Sequence, residues 1–282
     1  MTFFKKTFTF FYFCLFACVP LAAMETSPKN NTVVLWGLND VIFKAEMPKF
    51  LEWTFKVLGV TEQTFVNKLY ADLKDIPATA IIDETTGQPY VVPAHIHNLQ
   101  EPSLLVAWIT GHVSNEQAKR LALEHTKRIS IARCVANAMF KPEELAKKFH
   151  PNQAVLRVVQ QCRQQNSVGL CSSFNGEAFD TLVDVHPFLR TIFDNKCEFI
   201  SGKQGFDTSD TVFYDKMAEK LPELYDKVVE KFQDKHIYLV DAPGPALGVA
   251  QKKGINAIEF ITRKNHAIED LSETLRDEGV LK

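Results

Sequence analysis

The chain has 282 residues, of which 46% are hydrophobic and 23% charged, and its formal net charge is −2. This is an ordinary globular composition, long enough for one large domain or two modest ones, and it excludes a largely disordered chain. The 32 basic and 34 acidic side chains form no basic cluster, which argues against nucleic acid as a partner.

The first 23 residues have the order of a secretory signal peptide: two lysines, a Phe-rich apolar run over residues 7–19, and small residues before a cleavage point. Cleavage after Ala23 is the preferred prediction, giving an exported, periplasmic or secreted protein without a membrane segment. Two alternatives stay open, a lipoprotein-like box at residues 15–18 and an uncleaved anchor, although the run is short for a membrane span. The leader holds two of the 32 basic and none of the 34 acidic side chains, so the mature net charge is about −4.

Four of the six cysteines lie beyond the leader: Cys134, Cys162, Cys171 and Cys197. An even number permits disulfides in an exported protein, but the spacings show no metal-ligand pairs and leave the pairing open. Cys171 lies in an apolar strand, so a buried thiol is predicted there.

The first predicted element is a short buried strand, Val33–Trp36. Residues 44–150 then have mainly helical patterns, with a loop at 76–93 that contains a hairpin turn at Gly87. The predicted helices of this part are 50–58, 61–70, 104–110, 114–135 and 142–149. They indicate a helical insert.

After a helix at 152–166, strands and helices alternate. The predicted strands are 168–171, 197–200, 237–240 and 257–260, and the helices between them are 177–185, 211–219 and 245–253. Short apolar strands separated by amphipathic helices predict right-handed parallel crossovers, so the fold class is α/β with a doubly wound parallel sheet. Residues 24–43 and 151–282 form this core, and residues 44–150 form an inserted helical cap.

Polar or turn residues follow the predicted strands at their carboxyl ends. Gly37, Ser172 and Asp241 end or directly follow three of them, and a loop near Gly205 follows a fourth. Because open parallel sheets bind ligands beyond the carboxyl ends of their strands, these segments are expected to meet in one cleft.

Residues 33–43, Val-Val-Leu-Trp-Gly-Leu-Asn-Asp-Val-Ile-Phe, are an apolar strand, a turn and a second apolar run. They resemble the first motif of the haloacid dehalogenase (HAD) superfamily, an apolar strand followed by Asp-x-Asp-Gly-Val/Thr-Leu/Ile-Phe. In this alignment Gly37 occupies the position of the nucleophilic Asp, Asn39 that of the acid/base Asp, and Asp40 that of the Gly. The frame of the motif is present, and its reactive carboxylates are not.

Residues 170–179, Leu-Cys-Ser-Ser-Phe-Asn-Gly-Glu-Ala-Phe, resemble the second motif, Leu-x-Ser-Asn-Trp-Asp-x-Glu-x-Phe. The resemblance implies that Ser172 supplies the hydroxyl that binds a phosphoryl oxygen, and Ser173 replaces the Asn. Both are candidate ligand-binding residues. A serine at this point is also a common helix-start residue, which keeps a structural role open.

Residues 205–214 resemble the third motif, Gly-Tyr-x-Lys-Pro-Asp-x-x-Ile-Tyr, with Thr208 at the lysine and Ser209 at the proline. In the family that lysine neutralises nucleophile and phosphate, and a threonine cannot supply its charge. Lys203 lies five residues earlier and is a substitute in principle, but a surface position is favoured for it.

Residues 237–255 resemble the fourth motif, an apolar strand with an Asp-Asp pair, Asn-x-x-x-Ala and Lys-x-Gly-Met/Ile. Asp241 keeps the first acid, while Ala242 replaces the second and Ala246 the Asn. The resemblance implies that Asp241 is a weak Mg²⁺ ligand. An Asp at this place also caps turns.

One constellation lies outside these motifs. His95 and His97 share a face if their segment is a strand, and His112 follows in the insert. A transition metal would suit such a trio, but no acidic or Cys partner has diagnostic spacing, so ordinary surface histidines are favoured.

The resemblance extends from about residue 32 to residue 262 and implies a HAD-like core with a helical cap, hydrolase chemistry and Mg²⁺. Loss of nucleophile, acid/base and lysine argues against phosphotransfer by that route. The leading hypothesis is a degenerate relative that needs no cofactor and binds an unidentified small molecule or protein partner in the cleft between core and cap. Two alternatives stay open: an active Mg²⁺-dependent phosphatase using Asp241 and, as a substitute nucleophile, Asp40, and a structural protein of the cell envelope.

Overall fold

The computed structural model describes residues 32–45, 69–93, 102–125, 139–224, 237–262 and 264–282. Several predictions fall outside these ranges: the leader, the helix at 50–58, most of the helix at 61–70, Cys134, His95 and His97. Among the helices inside them, none has the length and apolar content to cross a membrane.

A five-stranded parallel sheet forms the centre of the described chain. Its strands are β1 (Val33–Trp36), β4 (Ser167–Ser172), β5 (Glu198–Ile200), β6 (Ile237–Asp241) and β7 (Asn256–Glu259), in the spatial order β5-β4-β1-β6-β7. Strand β1 is central, and Trp36 pairs with Leu170 on one side and Val240 on the other. Its four residues are all buried, as expected for a strand covered on both faces.

Helices cover both faces of this sheet. The described residues contain α1 (Ser103–Ile109), α2 (Asn115–His125), α3 (Pro142–Ala146), α4 (Gln153–Arg163), α5 (Gly176–Val185), α6 (Phe188–Ile192), α7 (Ser201–Gln204), α8 (Thr211–Leu224), α9 (Pro245–Lys252) and α10 (Ala267–Asp277). Val34 and Trp36 pack in one apolar core with α4, α5 and α10, whereas Val33 and Leu35 pack in a second with α8 and α9. The predicted α/β class with a doubly wound sheet is confirmed.

The predicted helix 142–149 is wrong at its end. Helix α3 stops at Ala146, and Phe149–Pro151 forms strand β3, which pairs antiparallel with β2 (Phe43–Ala45). The ring of Phe149 packs edge-on against Phe43, with centroids 5.7 Å apart. Tertiary packing of this ring therefore overrides the local helical pattern.

Strands β2 and β3 also bring together the two ends of the inserted segment. Ala45 pairs with Phe149, and Phe43 pairs with Pro151. The predicted limits of the insert, residues 44 and 150, pair with each other inside this ladder.

Within the insert, the predicted hairpin turn is confirmed. Ile82 bridges Pro89 in antiparallel fashion, and the Gly87 N–H donates to the Asp83 carbonyl at 2.7 Å. Gly87 has φ +68°, a left-handed conformation that favours glycine. Helix α1 spans Ser103–Ile109, close to its predicted limits.

The described thiols are buried. Burial raises the pKa of Cys162 to about 12 and raises that of Cys171 well above its ordinary value. The prediction that Cys171 is a buried thiol is confirmed. Both side chains act as small apolar groups in the core.

Three glycines let the insert touch the core by backbone. A Cβ built on Gly202 would lie 2.1 Å from the Gly176 nitrogen, and one on Gly111 would lie 2.5 Å from the Gly202 carbonyl oxygen. The turn after α1, the start of α7 and the start of α5 are therefore in direct contact. This contact fixes α1 beside the carboxyl ends of β4 and β5.

We expect Gly202→Ala to lower the free energy of unfolding by at least about 2 kcal/mol, because backbone atoms must move to admit the methyl group. Gly248→Ala is the matched control. A Cβ on Gly248, inside α9, meets nothing within 4 Å, so it should gain about 0.5–1 kcal/mol. Urea unfolding measures both, and equal effects of the two substitutions would contradict the close contact.

Candidate functional site at the carboxyl ends of the strands

A cavity of about 230 Å³ lies at the carboxyl ends of β1, β4 and β6. Six of the predicted site residues line it: Asn39, Asp40, Ser172, Ser173, Thr208 and Asp241. Ile109 of α1 adds a wall from the insert. The cavity thus lies where open parallel sheets bind ligands, and a residue of the insert closes one side of it.

The seventh predicted residue, Gly37, is in contact with Asp241. An ideal Cβ on Gly37 would lie 2.1 Å from Oδ1 of Asp241 and 2.8 Å from its Cγ. Atoms do not approach so closely, so no side chain fits at residue 37 while Asp241 keeps this position. Oδ1 also accepts a hydrogen bond of 2.8 Å from the Ala242 N–H, which holds the carboxylate there.

The carboxyl group of Asp241 is destabilised in its charged form. Burial raises its pKa to about 7, and the hydrogen bond from Ala242 offsets only part of that rise. Among the described residues that line the cavity, none is Lys, Arg or His. No positive charge in that lining therefore compensates the lost hydration, and near neutral pH the group divides between its acid and its carboxylate.

Asp207 organises the loop between α7 and α8. Its Oδ2 accepts from the Ser173 hydroxyl at 3.0 Å, and its Oδ1 accepts from the Ser209 N–H at 2.8 Å. The Ser173 hydroxyl also contacts the hydroxyl of Thr208. Because Ser173 gives its single proton to Asp207, Thr208 donates to Ser173.

The residue at the family's lysine position therefore has its hydroxyl proton committed inside the protein. Thr208 is also buried. Asp207 was absent from the predicted site residues, although its sequence pattern was informative. An Asp followed two residues later by Ser209, whose N–H it accepts, is typical of an Asx turn.

Ser172 offers a different kind of hydroxyl. It ends β4, lines the cavity and is only 5% exposed. Within the described part of the chain, its hydroxyl has no hydrogen-bond partner. Of the two predicted ligand-binding serines, Ser172 is thus the one left available to a ligand.

The turn after β1 supports the alignment of the first motif. Asp40 has φ +58°, the left-handed conformation that favours glycine and that Asp tolerates. The Ile42 N–H closes the turn on the Gly37 carbonyl at 3.3 Å. Asp40, which aligns with the motif's glycine, therefore has a backbone conformation that suits glycine, and Asn39 and Asp40 are both exposed at the rim of the cavity.

Lys203 is directed away from the cavity. Its ammonium group pairs with Asp180 at 2.7 Å and Glu198 at 2.8 Å, and it lies 4.8 Å from the centroid of the Phe179 ring. The favoured surface position is confirmed. Lys203 does not replace the family's lysine.

Polar contacts hold α1 over the site. The Trp108 indole N–H donates to Asn115 at 2.7 Å, and the Asn175 amide donates to the Trp108 carbonyl at 2.7 Å. Asn175 also caps α5 by accepting from the Ala178 N–H at 3.0 Å. Ile109 follows Trp108 directly, so these bonds position the cavity wall.

The residues do not fit the Mg²⁺ ion that the family resemblance implies. Over the described ranges, no group of three or more His, Cys, Asp or Glu side chains could hold a metal ion. Asp241 lies over Gly37, and Gly37 supplies no second carboxylate. Mg²⁺ sites in proteins usually combine one or two carboxylates with waters and substrate phosphate, and here the carboxyl group of Asp241 is buried against Gly37 and partly protonated at neutral pH.

The sequence matches no protein-family model and no curated protein. Solved structures give distant similarities. A HAD-family enzyme from Bacteroides thetaiotaomicron, in complex with magnesium and inorganic phosphate, is 14% identical, with 83% of this chain and 96% of that chain covered at a TM-score of 0.49. A predicted HAD-like hydrolase from Porphyromonas gingivalis is 12% identical, and the match covers 87% of this chain and 98% of that chain at a TM-score of 0.49.

A third similar structure is an L-2-haloacid dehalogenase from Xanthobacter autotrophicus with chloropropionic acid covalently bound. It is 10% identical, and the match covers 90% of this chain and 85% of that chain at a TM-score of 0.47. At these identities and scores, nothing about the chemistry of this chain follows from the three structures.

We expect Gly37→Ala to lower the free energy of unfolding by about 1–3 kcal/mol, because the new methyl group must displace the Asp241 carboxylate. In an Asp241→Ala background the same change should cost at least about 1 kcal/mol less. A double-mutant cycle by urea unfolding measures this coupling. Gly248→Ala, whose methyl group meets nothing within 4 Å, is the control and should show no coupling to Asp241→Ala. Strictly additive effects of Gly37→Ala and Asp241→Ala would contradict the contact.

Proposed function

We propose that this chain is an exported HAD-like protein that has lost phosphotransfer chemistry and binds a ligand in the cavity between α1 and the strand ends. The four motif resemblances support the relationship, since their residues gather around one cavity. The turn at Asp40 supports the alignment of the first motif by its backbone conformation.

The observation that carries this proposal is the position of the Asp241 carboxylate over Gly37. Aspartyl-phosphate chemistry needs a carboxylate at the attacking position. Residue 37 has no side chain, and its space is already filled by Asp241 Oδ1. A buried acid with a pKa of about 7 in that space is a poor substitute, because much of it is protonated at neutral pH.

Charge supports the same conclusion. Three carboxyl groups line the cavity, those of Asp40, Asp207 and Asp241, and no Lys, Arg or His is among the described lining residues. A phosphomonoester would meet like charge there without the lysine or the metal ion that usually neutralises it.

We expect the purified protein to hydrolyse p-nitrophenyl phosphate with Mg²⁺ no faster than its Asp241→Ala variant. Residue 37 carries no nucleophile, and the part of the chain that the structure describes has no fitted metal site to produce a difference. Release of nitrophenolate over a Mg²⁺ titration measures the rates, and circular dichroism checks that both proteins fold.

Metal-dependent turnover that disappears in Asp241→Ala would overturn the proposal. It would favour the alternative of an active phosphatase. Asp40→Asn then identifies the nucleophile, because asparagine keeps the left-handed backbone and removes only the carboxylate.

A further inference from the structure

The cavity has the charge and hydrogen-bonding character of a site for a cation. Its three carboxyl groups come from separate segments: Asp40 from the turn after β1, Asp207 from the loop before α8, and Asp241 from the end of β6. No Lys, Arg or His balances them among the lining residues that the structure describes. An anion would be repelled, and a cation would be attracted from the solvent.

Ser172 is an independent sign that this cavity receives a ligand. It is a polar side chain buried to 95%, since its exposed fraction is 5%, and it lines the cavity. Its hydroxyl has no partner within the described ranges, whereas those of Ser173 and Thr208 are bonded to each other. Among the described residues, the fully buried atoms without a partner do not include this hydroxyl, so it is open to the cavity, where it can accept a hydrogen bond from a ligand.

The rest of the wall favours an organic cation over a metal ion. Ile109 and the segment 242–246, which contains two alanines and two prolines, give the cavity an apolar side. The carboxylate of Asp207 is already an acceptor for Ser173 and Ser209. An ammonium group needs one lone pair for each N–H, while a metal ion needs several bare oxygens in fixed geometry.

The volume limits the size of the ligand. At about 230 Å³ the cavity lies below the roughly 300–1,000 Å³ of sites for drug-sized molecules. A short alkyl chain with one or two ammonium groups fits this space.

We propose that the cavity binds a small alkylammonium compound, whose charged nitrogen is recognised by Asp40, Asp207 and Asp241 and by the free hydroxyl of Ser172. This inference rests on the proposed function, since it names the ligand class of the same cavity. Binding should also tighten as the pH rises through about 7, because an ammonium group favours the ionised form of Asp241.

Isothermal titration calorimetry of the whole purified protein tests this with 1,4-diaminobutane as the probe. The uncharged 1,4-butanediol has the same chain and tests the need for charge. Asp40→Asn and Asp241→Asn should each weaken binding of the diamine by about tenfold or more, as expected for loss of a charged acceptor, and Ser172→Ala by about threefold or more. Asp184→Asn, an exposed Asp near the end of α5 outside the lining, is the charge-matched control and should leave affinity unchanged.

Four results would overturn the inference: equal binding of the diol, absence of diamine binding, equal weakening by Asp184→Asn, or displacement of the diamine by Mg²⁺ alone. Titration with inorganic phosphate separates the two proposals. If phosphate binds, Ser172→Ala weakens that binding and the diamine does not bind, the chain is still a binding protein but its ligand is not a cation. Mg²⁺-dependent turnover would instead contradict the proposed function itself.

Discussion

The close approach of the Asp241 carboxylate to the bare backbone of Gly37 governs the site. Strands β1 and β6 pair in parallel register, and the Gly37 N–H extends that ladder by donating to the Val240 carbonyl at 2.9 Å. Register therefore places residues 37 and 241 side by side at the carboxyl edge of the sheet. With no side chain on Gly37, the carboxyl group of Asp241 turns into the vacant space and loses hydration. Its raised pKa is a consequence of this packing arrangement.

The insert adds a wall to the cavity at the edge of the sheet. Backbone contact through Gly111 and Gly202 brings α1 close, and the bonds of Trp108 then place Ile109 over the strand ends. Ile109 supplies an apolar wall, while the strand ends and the loops that follow them supply carboxyl groups and the hydroxyl of Ser172. Under the proposed function, the selectivity of the cavity would follow from its size, its charge and the Ser172 hydroxyl.

Much of the fold was predictable, because apolar runs and their spacing report burial directly. Strand β1 has its predicted limits, and the class of sheet follows from the alternation after residue 166. Strand β3 was not predictable from local sequence, because the extended backbone at Phe149 depends on pairing with β2 and on the contact of its ring with Phe43, at the other end of the insert. The site residues could be located from strand ends, but the orientation of Asp241 could not. It depends on the register of two strands that are about 200 residues apart in sequence.

The most direct test of this account is the titration of the Asp241 carboxyl group by carbon-detected NMR, with its resonance assigned by comparison with Asp241→Asn. A folded pKa raised above the ordinary value of 3.8 means that the stabilising contribution of Asp241 is complete below that value and is lost as the pH rises through the folded pKa. A carboxylate buried over Gly37 predicts a midpoint near 7. A midpoint near 4 would place the group in solvent and contradict the account.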